Sequence, residues 1–181
     1  DAREARAIAA ARRGDPEGFD YLVATHARRV AGVAWTLTGS ADLAEELAQE
    51  AFVRAFTSIT NFREGEAFAP WILRIVTNLA IDAVRARGRL EPDHALAVVP
   101  ARRDDEPDVR AASAEIGRRI EEALASLPLM QQMVARLFLV EEWDHGEIAA
   151  ATGLPPATVR SHLSLARARL RERLGDLWRT P

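Results

Sequence analysis

The stretch from Phe68 to Arg89 constrains this chain most, because it carries two different faces at one helical spacing. Phe68, Ile72, Ile75 and Leu79 recur at the helical repeat and make an apolar face that Trp71 and Val76 widen. Arg74, Asn78, Asp82 and Arg85 recur at the same spacing and make a polar face. The ordinary fate of such a helix is core on one side and solvent on the other. The polar residues also suit a nucleic-acid groove, with Asn bonding base edges and Arg bonding phosphates. Upstream, Asn61 to Ala67 reads as a loop, with Asn61 and Gly65 as breakers and Phe62 as an aromatic inside it. An aromatic on a loop beside a polar helix suits stacking on an unpaired base.

Charge is distributed in a way that supports local nucleic-acid contacts. All 24 basic residues of the 181-residue chain are arginine, whose planar fork of donors matches phosphate. The net charge is −3, yet Pro70 to Leu90 carries four Arg against Asp82 alone. Pro155 to Pro181 carries six Arg against Glu172 and Asp176. Hydrophobic residues make up 48%, enough for a buried core. No run of 18 apolar residues is present, so no membrane contact is expected. The charged beginning at Asp1 gives no sign of a signal peptide. Cysteine is absent, which excludes disulfides and thiolate metal sites within the chain and is compatible with the cytosol.

In chain order the punctuation predicts helices throughout. Ala2 to Arg13 is helical and stops at Gly14. Asp15 and Pro16 cap a second helix that runs to about Leu37, with Phe19, Leu22, Val23, Val30, Val33 and Ala34 inward. Gly39 closes it, and Ser40 caps a third helix over about 41–59, with Leu43, Leu47, Ala51 and Phe52 inward. Glu45, Glu46, Gln49 and Glu50 lie on its other side and read as a solvated acidic face. A carboxylate metal site would need histidines at Glu-x-x-His spacing on facing helices. Glu91 and His94 have that spacing, but the pair includes Pro92 and sits outside any helix, so no metal is expected. Residues 89–112 hold three prolines and a mixed charge run and read as a linker that is largely unstructured in isolation. Ser113 is the expected cap of a helix through Ala125 with Ile116, Ile120 and Leu124 inward. Pro128 begins another, with Met130, Met133, Val134, Leu137 and Phe138 as core.

The second motif is a helix-turn-helix. Asp144 and Glu147 have capping-box spacing and open a short helix. Ala149, Gly153 and Val159 have the small residue, turn glycine and β-branched residue that such a hairpin needs. The last helix, from near Pro156 to about Trp178, has an apolar stripe of Val159, Leu163, Ala166, Leu170, Leu174 and Leu177. Arg160, Ser164, Arg167 and Arg171 run along another face. A basic helix end often serves only the helix dipole, but Arg160 lies near the N-terminus, where a cation gains nothing from it.

These residues resemble a known family. Phe68, Trp71, Ile72, Ile75, Asn78 to Asp82 and Arg85, followed by Arg87 and Arg89, are similar to the promoter-melting segment of extracytoplasmic-function (ECF) sigma factors of the sigma-70 family. Glu45, Glu46, Leu47, Gln49, Glu50 and Phe52 are similar to the family's segment that docks on the clamp helices of RNA polymerase. Thr158, Val159, Arg160, Ser161, Leu163, Ala166, Arg167 and Leu170 are similar to its −35 recognition helix, and Leu127, Pro128, Glu147, Ile148, Ala149 and Gly153 extend the match. The chain departs from the pattern at His162, Ser164 and Leu165, and an exposed Leu165 suits a protein contact.

The resemblance implies an all-α, two-domain initiation factor without a cofactor. Residues 1–88 would form region 2, 89–112 a flexible linker and 113–181 region 4. Asn61, Phe62, Arg63, Arg74, Asn78, Asp82 and Arg85 would hold the −10 element as a single strand. Thr158, Arg160, Ser161, His162, Ser164, Arg167 and Arg171 would read the −35 duplex. Glu45, Glu46, Gln49, Glu50 and Phe52 would meet core RNA polymerase, whose clamp helices and flap are the expected contacts. An anti-sigma factor is the further partner implied, and the cytoplasm the implied place of action. A stand-alone helix-turn-helix regulator is the alternative, and it leaves the acidic face and the Asn78 stripe without a task. A helical adaptor that binds only proteins leaves the two basic stretches unexplained. Four scattered histidines and no cysteine build no catalytic constellation.

Overall fold

The computed structural model describes residues 2–63, 65–90 and 107–175, and among them the regular elements are helices. They are α1 (Ala2–Arg12), α2 (Pro16–Thr38), α3 (Ala41–Ser58), a single 3₁₀ turn (Ile59–Asn61), α4 (Phe68–Leu90), α5 (Pro107–Ala125), α6 (Leu129–Leu139), α7 (His145–Thr152) and α8 (Pro156–Leu174).

The boundaries follow local chemistry. Asp15 accepts the Glu17 N–H at 3.0 Å ahead of Pro16, and Gly39 ends α2 at φ +65°. Ser40 accepts the Leu43 N–H at 3.4 Å to start α3. At α7, Asp144 accepts from the Gly146 and Glu147 N–H groups, while Glu147 accepts the Asp144 N–H at 2.9 Å, closing the capping box. Gly153 ends α7 at φ +72° and turns the chain into Pro155 and Pro156.

Three expectations change. First, α5 begins at Pro107, six residues before Ser113, because proline at a first helical position lacks only an N–H that would be unpaired anyway. Ser113 therefore lies inside the helix, and α4 continues to Leu90, so the helices take both margins of the expected linker; 91–106 lie outside the described residues, as does Leu177. Second, Ile116 and Ile120 point outward, 44% and 39% exposed, and only Leu124 of that stripe is buried. α5 packs on α6 and α8 through its C-terminal end instead, where Arg136 of α6, 1% exposed, pairs with the buried Glu121. A cation buried there needs that partner, which fixes α5 to α6. Third, Phe62 is core, as described below.

One core runs through both halves. It joins Leu22, Val30, Val33, Leu37, Ile72 and Val76 of the N-terminal half to Met133, Leu137, Trp143 and Ile148 of the C-terminal half. α4 packs against α2, α3 and α7, and α2 packs against α6. The Thr36 hydroxyl of α2 donates to the carboxylate of Glu141 in the α6–α7 loop. A separate small cluster of Leu124, Leu127, Ala135 and Ala166 lies wholly within the C-terminal half.

Candidate nucleic-acid and polymerase interface

α4 is buried around most of its circumference. Leu73, Thr77, Ala80 and Ile81 are buried in addition to the expected Phe68, Ile72, Val76 and Leu79. Three packed neighbours leave one free strip, and Arg74, Asn78, Asp82 and Arg85 occupy it, within an arc of roughly 80° at 3.6 residues per turn. Asp82 pairs with Arg85 at 3.2 Å, an exposed ion pair of little intrinsic strength that a phosphate can displace.

The loop before α4 is anchored by aromatics. Phe62 is 2% exposed, with its ring 4.9 Å from Trp71 and 6.1 Å from Phe68. It therefore does not present its ring to a base in this structure. The burial of an aromatic face outweighs keeping it wet, and the sequence could not say which way a loop aromatic turns. Asn61 and Arg63 on either side are exposed, and Gly65 makes the turn at φ +85°. Arg63 lies 3.7 Å from Glu66. Glu4 of α1 accepts the Phe68 N–H at 3.3 Å, which satisfies one of the unpaired donors at the start of α4. The same carboxylate sits 3.5 Å from His26, whose ring lies 5.3 Å from Phe68.

On α8, Arg160, Ser164, Arg167 and Arg171 share one exposed strip. The Arg167 guanidinium lies over the Phe138 ring of α6 at 5.0 Å, and Arg169 donates to Gln131 at 2.7 Å. Ser161 is exposed and Thr158 half-buried. His162 is half-buried with Nδ1 enclosed and unpartnered, so it faces partly into the protein. Leu165 is 48% exposed.

On α3, Glu45, Glu46 and Gln49 are exposed, and Glu50 pairs with Arg54 at 2.7 Å. Phe52 is half-buried against Phe19. The structure adds two residues that pattern reading missed: Val53 and Phe56, more than half exposed, lie on the same side as Glu45 and Gln49. The signal of Val53 was available, since it falls outside the apolar stripe of α3; Phe56 packs edge-on against Phe19 at 5.1 Å and still leaves more than half of its surface exposed. Among the described residues no group of three or more His, Cys, Asp or Glu is placed to hold a metal ion, and no helix is long and apolar enough to cross a membrane.

Two family models match the chain in the order of these surfaces. Sigma-70 region 2 matches residues 22–90, and sigma-70 region 4 matches residues 117–170. The RNA polymerase sigma factor CarQ of Myxococcus xanthus is 31% identical over 171 residues, covering 92% of this chain and 94% of that protein. The chain belongs to the ECF sigma factors of the sigma-70 family. The ECF sigma factor SigE of Mycolicibacterium smegmatis is 38% identical over 160 residues; the match covers 86% of this chain and 61% of that longer protein. Among solved structures, CnrH in complex with the cytosolic domain of CnrY has a TM-score of 0.68 at 24% identity, covering 96% of this sigma factor and 98% of that chain. The sigma factor RpoE in complex with the anti-sigma factor NepR from Bartonella quintana has a TM-score of 0.64 at 23% identity, covering 87% and 96%. These two likenesses concern the fold.

Proposed function

We propose that this sigma factor brings core RNA polymerase to promoters by dividing the work among three helices. The exposed strip of α4, with Asn61 and Arg63 beside it, holds the unpaired −10 strand: Asn78 bonds base edges, and Arg74, Arg85 and Arg63 bond phosphates. Asp82 holds Arg85 until phosphate replaces it. The strip on α8 enters the −35 major groove, with Arg160 and Ser161 nearest base edges, and Ser164, Arg167 and Arg171 along the backbone. Thr158 and His162 flank it. α3 meets polymerase through Glu45, Glu46, Gln49 and Glu50 around an apolar centre of Val53 and Phe56, supported by Phe52. Residues 1–88, 89–112 and 113–181 are the functional divisions. The polymerase supplies the catalysis, and the site of action is the cytoplasm, where the polymerase is. The region 4 half also meets the polymerase flap, and an anti-sigma factor restrains the protein.

The observation that supports this reading most is the free strip on α4. A helix enclosed on three sides has kept Arg74, Asn78 and Arg85 in solvent, within the region 2 match and ahead of the region 4 helix-turn-helix. The test is run-off transcription from promoter libraries by core polymerase with and without the chain. Initiation at a defined set of promoters only when the chain is present is the expected result. Specific binding to duplex DNA with no effect on core polymerase would overturn the reading in favour of a stand-alone regulator.

A further inference from the structure

α8 carries two rows of arginine with an uncharged ridge between them. At 3.6 residues per turn, the buried Val159, Leu163, Ala166 and Leu174 fall within an arc of roughly 80°. Ser161 lies opposite the middle of that arc, and Ala157, Leu165 and Ala168 lie within roughly 40° of Ser161. Arg167 and Arg171 continue the line of Arg160 along one flank of this ridge, and Arg169 and Arg173 lie along the other. α6 steadies both flanks: the Arg167 guanidinium lies over the Phe138 ring at 5.0 Å, and Arg169 donates to Gln131 at 2.7 Å. The ridge that points straight away from the protein is thus the uncharged part of the exposed helix. Leu165 is its long apolar side chain, 48% exposed and standing among the small Ala157, Ser161 and Ala168.

A helix in a major groove meets phosphates on both walls and base edges on the floor between them. The groove is about 12 Å wide and a helix with its side chains about 10–12 Å across. The two arginine rows therefore suit the walls, and the ridge between them faces the floor. A lone exposed leucine is ordinary on a protein surface; one on this ridge is placed over bases. Its isobutyl group offers no hydrogen bond, and a polar base edge beneath it would lose water without gaining a partner. The apolar group that the major groove displays is the thymine C5-methyl. We infer that Leu165 is a specificity-determining residue of the −35 read, packing on a thymine methyl on the floor of the groove. The inference rests on the sigma-factor reading of α8 and adds to the roles of Arg160 and Ser161. Leu165 follows Ser161 by four residues, about 6 Å along the axis, so the thymine lies roughly two base pairs from the base that Ser161 meets, at 3.4 Å per pair. Ala157 and Ala168, with one methyl each, let the helix approach closely enough for the leucine to reach the floor. A carboxylate enters the ridge at Glu172, about 10 Å further along, so the turns around Leu165 carry no repulsion against phosphate.

The test uses the full chain with core polymerase on a promoter at which it directs initiation. Each thymine of the upstream element is replaced in turn by deoxyuridine, which removes the C5-methyl and keeps every hydrogen-bonding group. The half-saturating holoenzyme concentration is measured for the native chain, Leu165→Ala and Leu165→Met. Native holoenzyme should bind about four-fold more weakly when one particular thymine is replaced, the equivalent of the ~0.8 kcal/mol that a buried methyl group contributes. Leu165→Ala should bind the thymine and deoxyuridine promoters equally at that position. Its salt dependence should match that of the native chain, because no phosphate contact is lost. Leu165→Met, which keeps an apolar side chain of similar reach, should retain the preference for thymine. Native tolerance of deoxyuridine at every position overturns the inference, and so does a preference that Leu165→Ala leaves intact. Weaker co-purification of Leu165→Ala with core polymerase, with discrimination unchanged, makes the leucine a protein contact and overturns it as well. If the native chain starts transcription nowhere, the sigma-factor reading itself falls, a result distinct from initiation that ignores the methyl group.

Discussion

His26 shows how a single side chain can set a pH response at the start of α4. It is 8% exposed, lies between Glu4 and the start of α4, and its Nε2 has no well-formed hydrogen bond. Burial lowers its pKa below the ordinary value of 6.5; Glu4 pulls the other way without overcoming burial, and Arg29 adds to the lowering. The folded chain thus binds this proton less readily than the unfolded chain does. Between the lowered folded value and 6.5 the unfolded state carries more protons, so stability is intact above 6.5 and falls as pH drops through that window. Urea melts at neutral pH and about two units lower should show the loss, and His26→Gln should flatten it. A slope that persists unchanged in His26→Gln assigns the acid sensitivity to another group. Phe62 and Ile116 mark the limit of what single residues disclose. Both are large apolar side chains, yet one is core and the other is solvent-facing. The difference lies in the neighbours: Phe62 finds Phe68 and Trp71, while Ile116 lies on a side of α5 that the described residues leave exposed.

At the scale of elements, the crossing of α1 and α2 depends on Gly18. A β-carbon there would lie 2.6 Å from the Ala7 carbonyl oxygen and 2.7 Å from the Ala11 nitrogen, both backbone atoms that cannot swing aside. Helix propensity alone favours Gly→Ala by about 0.5–1 kcal/mol. Overpacking against fixed backbone costs about 1–3 kcal/mol, so the clash wins and Gly18→Ala destabilises. Gly32 is the internal control: it lies on the same helix with nothing within 4 Å of a new β-carbon, so Gly32→Ala should stabilise by about 0.5–1 kcal/mol. Chemical denaturation of the two variants measures both signs. Equal effects would show that α1 can shift without cost. Element boundaries were legible wherever a cap or breaker stood in the sequence, as at Asp15, Gly39, Ser40 and the Asp144–Glu147 box, because those rules act over four residues. The polar strips of α4 and α8 were legible for the same reason, being periodicities within one helix. The start of α5 was not, because proline-rich composition hid the fact that Pro107 suits a helix's first position. The burial of Leu73, Thr77 and Ala80 was not legible either, because the helix that packs beside α4 arrives from more than 50 residues later in the chain.

For the molecule as a whole, two family regions share one core, and that makes a claim about cooperativity. Independent halves would unfold in two steps, each with its own midpoint. Here Leu37 and Val76 belong to the same buried cluster as Leu137 and Ile148, and α7 contacts α4 more extensively than it contacts the neighbouring α6. Removing either half would open apolar surface on the other, so both should melt together as one two-state unit. The aromatic probes are well placed for this: Trp35 and Trp71 report on the N-terminal half and Trp143 on the C-terminal half. Retaining one tryptophan at a time and comparing its melt with far-ultraviolet circular dichroism should give coincident curves. Thr36→Val removes the donor to Glu141 and leaves that carboxylate part-buried without its partner, a loss of about 1–3 kcal/mol. In a chain of this size that lowers Tm by about 2–4 °C per kcal/mol if the halves are coupled. The shift must appear equally in the Trp71 and Trp143 signals, although Thr36 is on α2 and belongs to the N-terminal half alone. A shift confined to one probe, or two separated transitions in the native chain, would mean that the halves touch without sharing stability.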